Sequence, residues 1–237
     1  MDLSGVLGIV VLVLAVVLFI PLVFGAIFVV VVVANRADPD PTARRPVAVY
    51  AFAVAFVTLF VTLFATTGLI ASLAQLIGDH SRSISSSQPI INFGGPSGKS
   101  LHPVGDAVAR GSVLSIIVAL VAGAIYFRHR HRGDDAAAGT APVEPAARVQ
   151  SSYVAAVSFV CVVLTVLGTI VVCYDVFRLI APGVFAPGLN DGRETVLRSL
   201  LPAAWLAVLA QGIRRRHLDR WRARLATAAP LAPPVTE

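Results

Sequence analysis

Five apolar runs, at residues 6–33, 47–77, 111–127, 153–180 and 196–213, leave this chain few ways to fold. Each approaches or exceeds the roughly 20 residues with which a helix crosses a hydrocarbon core about 30 Å thick. Hydrophobic residues make up 57% of the 237 and charged residues 14%. They come in blocks rather than one-sided stripes, which excludes a soluble domain. The expectation is an all-α integral membrane protein with five transmembrane helices. The first run has no basic stretch before it, no small-residue cleavage site followed by polar sequence, and too great a length for a signal peptide. It reads as a retained helix, kinked near Pro21.

The second and fourth runs are copies of each other. At an offset of 103 residues, Arg45, Tyr50, Ala53, Val54, Phe56 and Val57 fall on Arg148, Tyr153, Ala156, Val157, Phe159 and Val160. Thr62, Thr66, Leu76 and Ile77 likewise fall on Thr165, Thr169, Leu179 and Ile180. Each copy opens a unit of two helices, so both units take the same orientation, related by an axis along the membrane normal. The predicted architecture is a tandem parallel two-helix repeat plus one N-terminal helix.

Arginines choose the orientation. Segments 35–46, 128–150 and 214–237 hold 13 of the 19 basic residues, against 6 on the opposite side. Positive charge concentrates on the cytoplasmic side, which predicts an extracytoplasmic N-terminus and a cytoplasmic C-terminus. Subtracting the acids leaves the whole net charge of +6 on the cytoplasmic side. The basic balance is therefore a topology signal and implies no nucleic-acid partner. Lys99 is the only lysine and Met1 the only methionine, a bias shared with high-GC bacterial genomes, so the expected location is a bacterial plasma membrane.

The predicted units are an N-terminal helix and linker at 1–43, a first membrane repeat at 44–132 with an outer loop at 78–108, and a cytoplasmic linker at 133–147. A second repeat with a basic juxtamembrane helix spans 148–225, and a Pro- and Ala-rich tail with the composition of a disordered segment closes the chain at 226–237. Arg45, Tyr50, Arg110 and the stretch Tyr126 to His131 in the first unit correspond to Arg148, Tyr153, Arg198, Trp205 and Arg214 to His217 in the second. With these positions, residues 44 to about 221 resemble an uncharacterised, actinobacterial-type integral-membrane family of unknown function built from duplicated two-helix units. The second copy departs from that pattern by placing its Trp mid-helix. The resemblance implies a fold and no activity.

Three groups of residues are candidates for function. Thr58, Thr62 and Thr66 share one helix face, and Ser158, Cys161, Thr165 and Thr169 repeat that stripe in the second copy. Small hydroxylated residues let helices approach and hydrogen-bond in lipid, and the same residues suit a polar solute path. Packing is the favoured reading because no ionisable group lies within the stripe. Asp175 and Arg178, one turn apart, are the only charge pair inside a predicted span, and Arg198 enters the next helix from the same side. At roughly 33 Å beyond Tyr153, Asp175 falls at the outer boundary, where an ion pair with Arg178 or Arg198 is the expectation. Arg214, Arg215, Arg216, Arg220, Arg222 and Arg224 surround an apolar face made by Leu218, Trp221 and Leu225. Such a helix can lie in the headgroup layer with Trp221 buried and its arginines on anionic cytoplasmic lipid.

Other features carry less. Cys161 and Cys173 lie about 18 Å apart on one helix and cannot pair with each other. The five histidines fall in loops or at helix ends, which suits neither haem nor a metal site. Gly94 to Ser100 echoes a phosphate loop but has Phe93 where the first glycine belongs. With no nucleophile beside a base, no carboxylate pair and no metal constellation, enzymatic activity and cofactors are not expected. The function expected is a structural or interaction component of the membrane, with the bilayer, a protein partner or a second copy as its contacts. The alternative is a small transporter or channel along the threonine stripe.

Overall fold

The computed structural model describes residues 43–78, 103–138, 145–181 and 193–228. They form four long helices, α1 (Arg45–Ala74), α2 (Pro103–Ala137), α3 (Pro145–Ile180) and α4 (Arg193–Ala228). The expected first span, most of the outer loop and the end of the tail lie outside the described residues. At 1.5 Å per residue the helices are about 45 to 54 Å long, so each outreaches a hydrocarbon core of about 30 Å.

Proline marks the start of three of them. Pro46 stands in the first turn of α1, and Pro103 and Pro145 open α2 and α3; there the missing N–H costs nothing and the fixed φ suits the helix. The chain leaving α1 tightens into i to i+3 bonds, Leu76 N–H to Leu73 O at 3.0 Å and Ile77 N–H to Ala74 O at 3.1 Å. It then turns at Gly78 with φ +97°, a conformation that suits glycine.

Among the described residues, four helices have the length and apolarity to cross a membrane. Their surfaces are inverted relative to a soluble bundle: Leu120 is 68% exposed, Phe127 72% and Ile180 74%. In water such a surface would drive aggregation, whereas in lipid it is matched by the surroundings. Helices satisfy their backbone groups internally, as lipid requires.

The helices pair as two antiparallel hairpins, α1 with α2 and α3 with α4, and small residues set the closeness of each pair. Gly111 faces the Ser72 hydroxyl, Gly68 faces Ser115, Gly123 faces Thr62 and Gly133 faces the ring of Phe52. A Cβ added to Gly133 would lie 2.9 Å from Phe52 Cε1. In the second hairpin, one added to Gly168 would meet Ala203 O and Ala207 Cβ, each at 3.0 Å. The hairpins run in the same sense. The starts of α1 and α3 meet where Phe52 stacks on Tyr153, and α4 runs antiparallel to both. The joint core contains Phe52, Phe56, Phe60 and Leu63 of α1 and Val149, Val157, Val160 and Leu164 of α3.

Some residues identical at the 103-residue offset differ sharply in environment. Tyr50 is 62% exposed and Tyr153 1%; Phe56 is 3% exposed and Phe159 60%. α1 is the most enclosed helix and α3 turns a different face inward. One local arrangement does recur: Tyr50 packs on His129 in the first hairpin, with centroids 5.7 Å apart, and Tyr153 on His217 in the second, at 5.8 Å.

Helix boundaries depart from the hydropathy. α2 continues through Gly133 to Ala137, so the connection to α3 is shorter than the expected linker. α4 continues through its arginines to Ala228 as one helix. His129, His131 and His217 therefore stand on helices rather than in loops.

Candidate functional site

The bundle carries polar groups at three levels, which are its threonine stripe and its two ends. In the stripe the hydroxyls bond back to their own helices: Thr58 donates to Val54 O at 2.7 Å, Thr62 to Thr58 O at 2.8 Å and Thr66 to Leu63 O at 2.9 Å. Thr165 and Thr169 do the same to Cys161 O and Thr165 O, both at 2.7 Å. A hydroxyl bonded one turn back presents its methyl group sideways, and Thr62 places Cγ2 against Gly123. Cys161 is fully buried in the core, and the Ser158 hydroxyl is buried without a hydrogen-bond partner.

At the end formed by the C-terminus of α1 and the start of α4, Asp175 is 2% exposed. It accepts from Ser199 Oγ at 2.6 Å and from Arg178 Nη1 at 3.4 Å. Arg178 also lies 5.7 Å from the centroid of the Tyr174 ring. Arg198 takes no part in that pair. Its Nε and Nη2 both donate to Ile77 O, at 2.9 and 2.6 Å, satisfying a carbonyl that the end of α1 leaves open. Between the two arginines named by the sequence, geometry selects Arg178 as the partner of Asp175 and gives Arg198 to the backbone.

The opposite, basic end holds the most elaborate constellation. Asp134 accepts from Arg130 Nε at 3.2 Å and from Gln150 Nε2 at 2.8 Å, tying α2 to α3. The Arg130 guanidinium sits 4.9 Å from the Tyr153 ring centroid and 5.9 Å from that of Phe52. Tyr153 and Phe52 stack with centroids 4.9 Å apart. His217 donates from Nδ1 to Ile213 O at 2.9 Å. In the neutral ring this leaves Nε2 as acceptor for the hydroxyls of Tyr153 at 3.4 Å and Tyr126 at 3.5 Å. All four helices contribute, and Arg130, Gln150, Tyr153 and His217 are each buried. Arg130 Nη1 is enclosed without a hydrogen-bond partner.

Tyr126, Arg130, Tyr153 and His217 are among the residues that the comparison of the two units singles out, but nothing local announces their convergence or the part that Asp134 and Gln150 play in it. The available signal was the i, i+4 spacing of Arg130 and Asp134, which holds an ion pair only if the helix continues past Phe127.

The basic segment of α4 continues the helix, and of the expected apolar face Leu218 and Trp221 pack against the protein core. Arg215, Arg216, Arg220 and Arg222 remain exposed, Arg222 with Asp219 at 3.8 Å, and Arg214 is half-buried with Gln211 at 3.3 Å.

Among the described residues no three His, Cys, Asp or Glu side chains cluster as a metal site requires. His129 bonds to Ile125 O and His131 approaches Asp135. Cys161 and Cys173 are free thiols. Long apolar helices, small-residue contacts and charged groups gathered at the bundle ends are the features of a multi-pass, all-α membrane protein. No protein family, curated protein or solved structure matches the chain.

Proposed function

We propose that this chain is a non-enzymatic structural or interaction component of a bacterial plasma membrane. In this reading the N-terminus lies outside and the basic end of both hairpins lies in the cytoplasm. The observation that carries it is where the polar groups spend their hydrogen bonds. Stripe hydroxyls return to their own helices, Asp175 closes on Ser199 and Arg178, and Arg130 closes on Asp134. Groups committed in this way offer a passing solute little to bind, and the Ser199 to Asp175 bond also ties α3 to α4. The 13 to 6 distribution of basic residues supports the orientation. The exposed arginines of α4 supply a surface for anionic headgroups, at about 1 kcal/mol per residue near the membrane. A protein partner or a second copy of the chain is the other contact this surface suits.

Proteoliposomes provide the test. Purified protein should give proton and cation flux no greater than protein-free vesicles. Flux that rises with protein and falls on Thr62→Val or Thr165→Val would support the transporter reading instead.

A further inference from the structure

The C-terminal half of α1 and the N-terminal half of α4 do not close completely. Between Ile70, Leu73 and Ile77 on one wall and Leu201, Trp205 and Val208 on the other runs an open apolar groove of about 460 Å³. Arg198, Leu201, Trp205 and Val208 follow at i, i+3, i+7 and i+10, so they share one face of α4 and Arg198 stands at the mouth of the groove. Its bonds to Ile77 O anchor it there. They use two of the five guanidinium N–H groups, leaving three for another acceptor. Among the described residues no carboxylate pairs with it.

We infer that this groove seats one acyl chain of a phospholipid whose phosphate is held by Arg198. Two observations choose this occupant over a helix or a second copy of the chain. The mouth carries a guanidinium that no carboxylate among the described residues pairs with, of the planar kind that binds phosphate through paired N–H groups, and an apolar helix offers it nothing. The groove also has the right depth. From Arg198 to Val208 is ten residues, about 15 Å along α4, which is half of a hydrocarbon core about 30 Å thick and therefore the reach of one leaflet's chain. Arg198 lies level with Asp175 and Ser199 at the end of the bundle, where headgroups begin.

The inference rests on the reading of these helices as membrane spans, so only protein that floats with vesicles and resists alkaline extraction is measured. Failure to insert would be seen at that step, separately from failure to bind lipid. Trp205 lines the groove, and with Trp221→Phe it becomes the sole tryptophan. The full chain is reconstituted in phosphatidylcholine containing a minor fraction of phosphatidylglycerol with brominated acyl chains, and Trp205 fluorescence is recorded. Quenching at least twofold above that expected from random lipid mixing is the predicted result. Arg198→Gln should return it to the random-mixing value. Because that change also removes the Ile77 contact, Ala204→Phe, which fills the groove and leaves Arg198 in place, should abolish the excess as well. Random-mixing quenching in the parent protein, or an excess that survives both substitutions, overturns the inference. An unquenched Trp205 also overturns it and assigns the groove to a protein occupant.

Discussion

Arg130 shows how a charge is kept at the end of an apolar bundle. Burial of a guanidinium costs several kcal/mol unless it is paired and hydrogen-bonded, and here Asp134 supplies the pair while the stacked Tyr153 and Phe52 rings flank it on one side. Each ring contact adds about 0.5 to 2 kcal/mol. Asp134→Ala should therefore destabilise the protein in detergent by about 2 to 4 kcal/mol, below the upper range for a buried pair because Asp134 is partly exposed. Adding Arg130→Met, which removes the stranded charge, should recover part of that loss. A thermal melt that is unchanged by Asp134→Ala would contradict the assignment. Asp175 makes the same argument at the other end, with a better-shielded carboxylate. Asp175→Asn is expected to cost about 1 to 3 kcal/mol by weakening bonds from Ser199 and Arg178, and Asp175→Asn with Arg178→Gln should cost less than the two single changes added together. Strict additivity in a double-mutant cycle would show that the pair is not coupled.

At the level of helices, the apolar runs announced α1 to α4 because length and composition alone satisfy the requirement for a span. Their ends were hidden. Hydropathy falls at Arg128 and Arg214, yet arginine and alanine are good helix formers, and i, i+4 pairs such as Arg130 with Asp134 carry the ladder onward. The basic-end cluster was hidden for a different reason. Its residues lie on four helices, and nothing local places Gln150 beside Asp134 or Tyr126 beside His217. The stripe was visible as a pattern, but the sequence left its two uses open, and the back-bonded hydroxyls bear on which is meant.

Glycine gives a test at this scale. Gly168 lies against Ala203 and Ala207, whereas Gly212 on α4 has open space where a Cβ would be. Gly168→Leu should cost about 1 to 3 kcal/mol by forcing α3 and α4 apart. Gly212→Ala should instead stabilise by about 0.5 to 1 kcal/mol through helix propensity. Equal effects of the two changes on unfolding in detergent would argue against the observed pairing of α3 with α4.

At the largest scale, the described residues form two hairpins running in the same sense, with arginines gathered at one end and an acid, serine and arginine closure at the other. Repeated sequence has not produced repeated packing: Tyr50 faces out and Tyr153 in. A duplicated unit can diverge in this way when one copy takes the enclosed position, because a face turned to lipid and a face turned to protein tolerate similar apolar side chains. The Tyr–His contact at the basic end of each hairpin is the local feature that the two hairpins have in common.

The placement of that basic end is best measured by accessibility in living cells. In a background of Cys161→Ala and Cys173→Ser, single cysteines replace Ser86 in the outer loop, Ala138 after α2 and Arg216 on α4, the last two being exposed positions. An impermeant thiol reagent added to intact cells should label the Ser86→Cys protein and leave Ala138→Cys and Arg216→Cys unlabelled until the membrane is opened. Labelling of Ala138→Cys and Arg216→Cys from outside would reverse the orientation, and labelling of only one of them would contradict the parallel arrangement of the two hairpins.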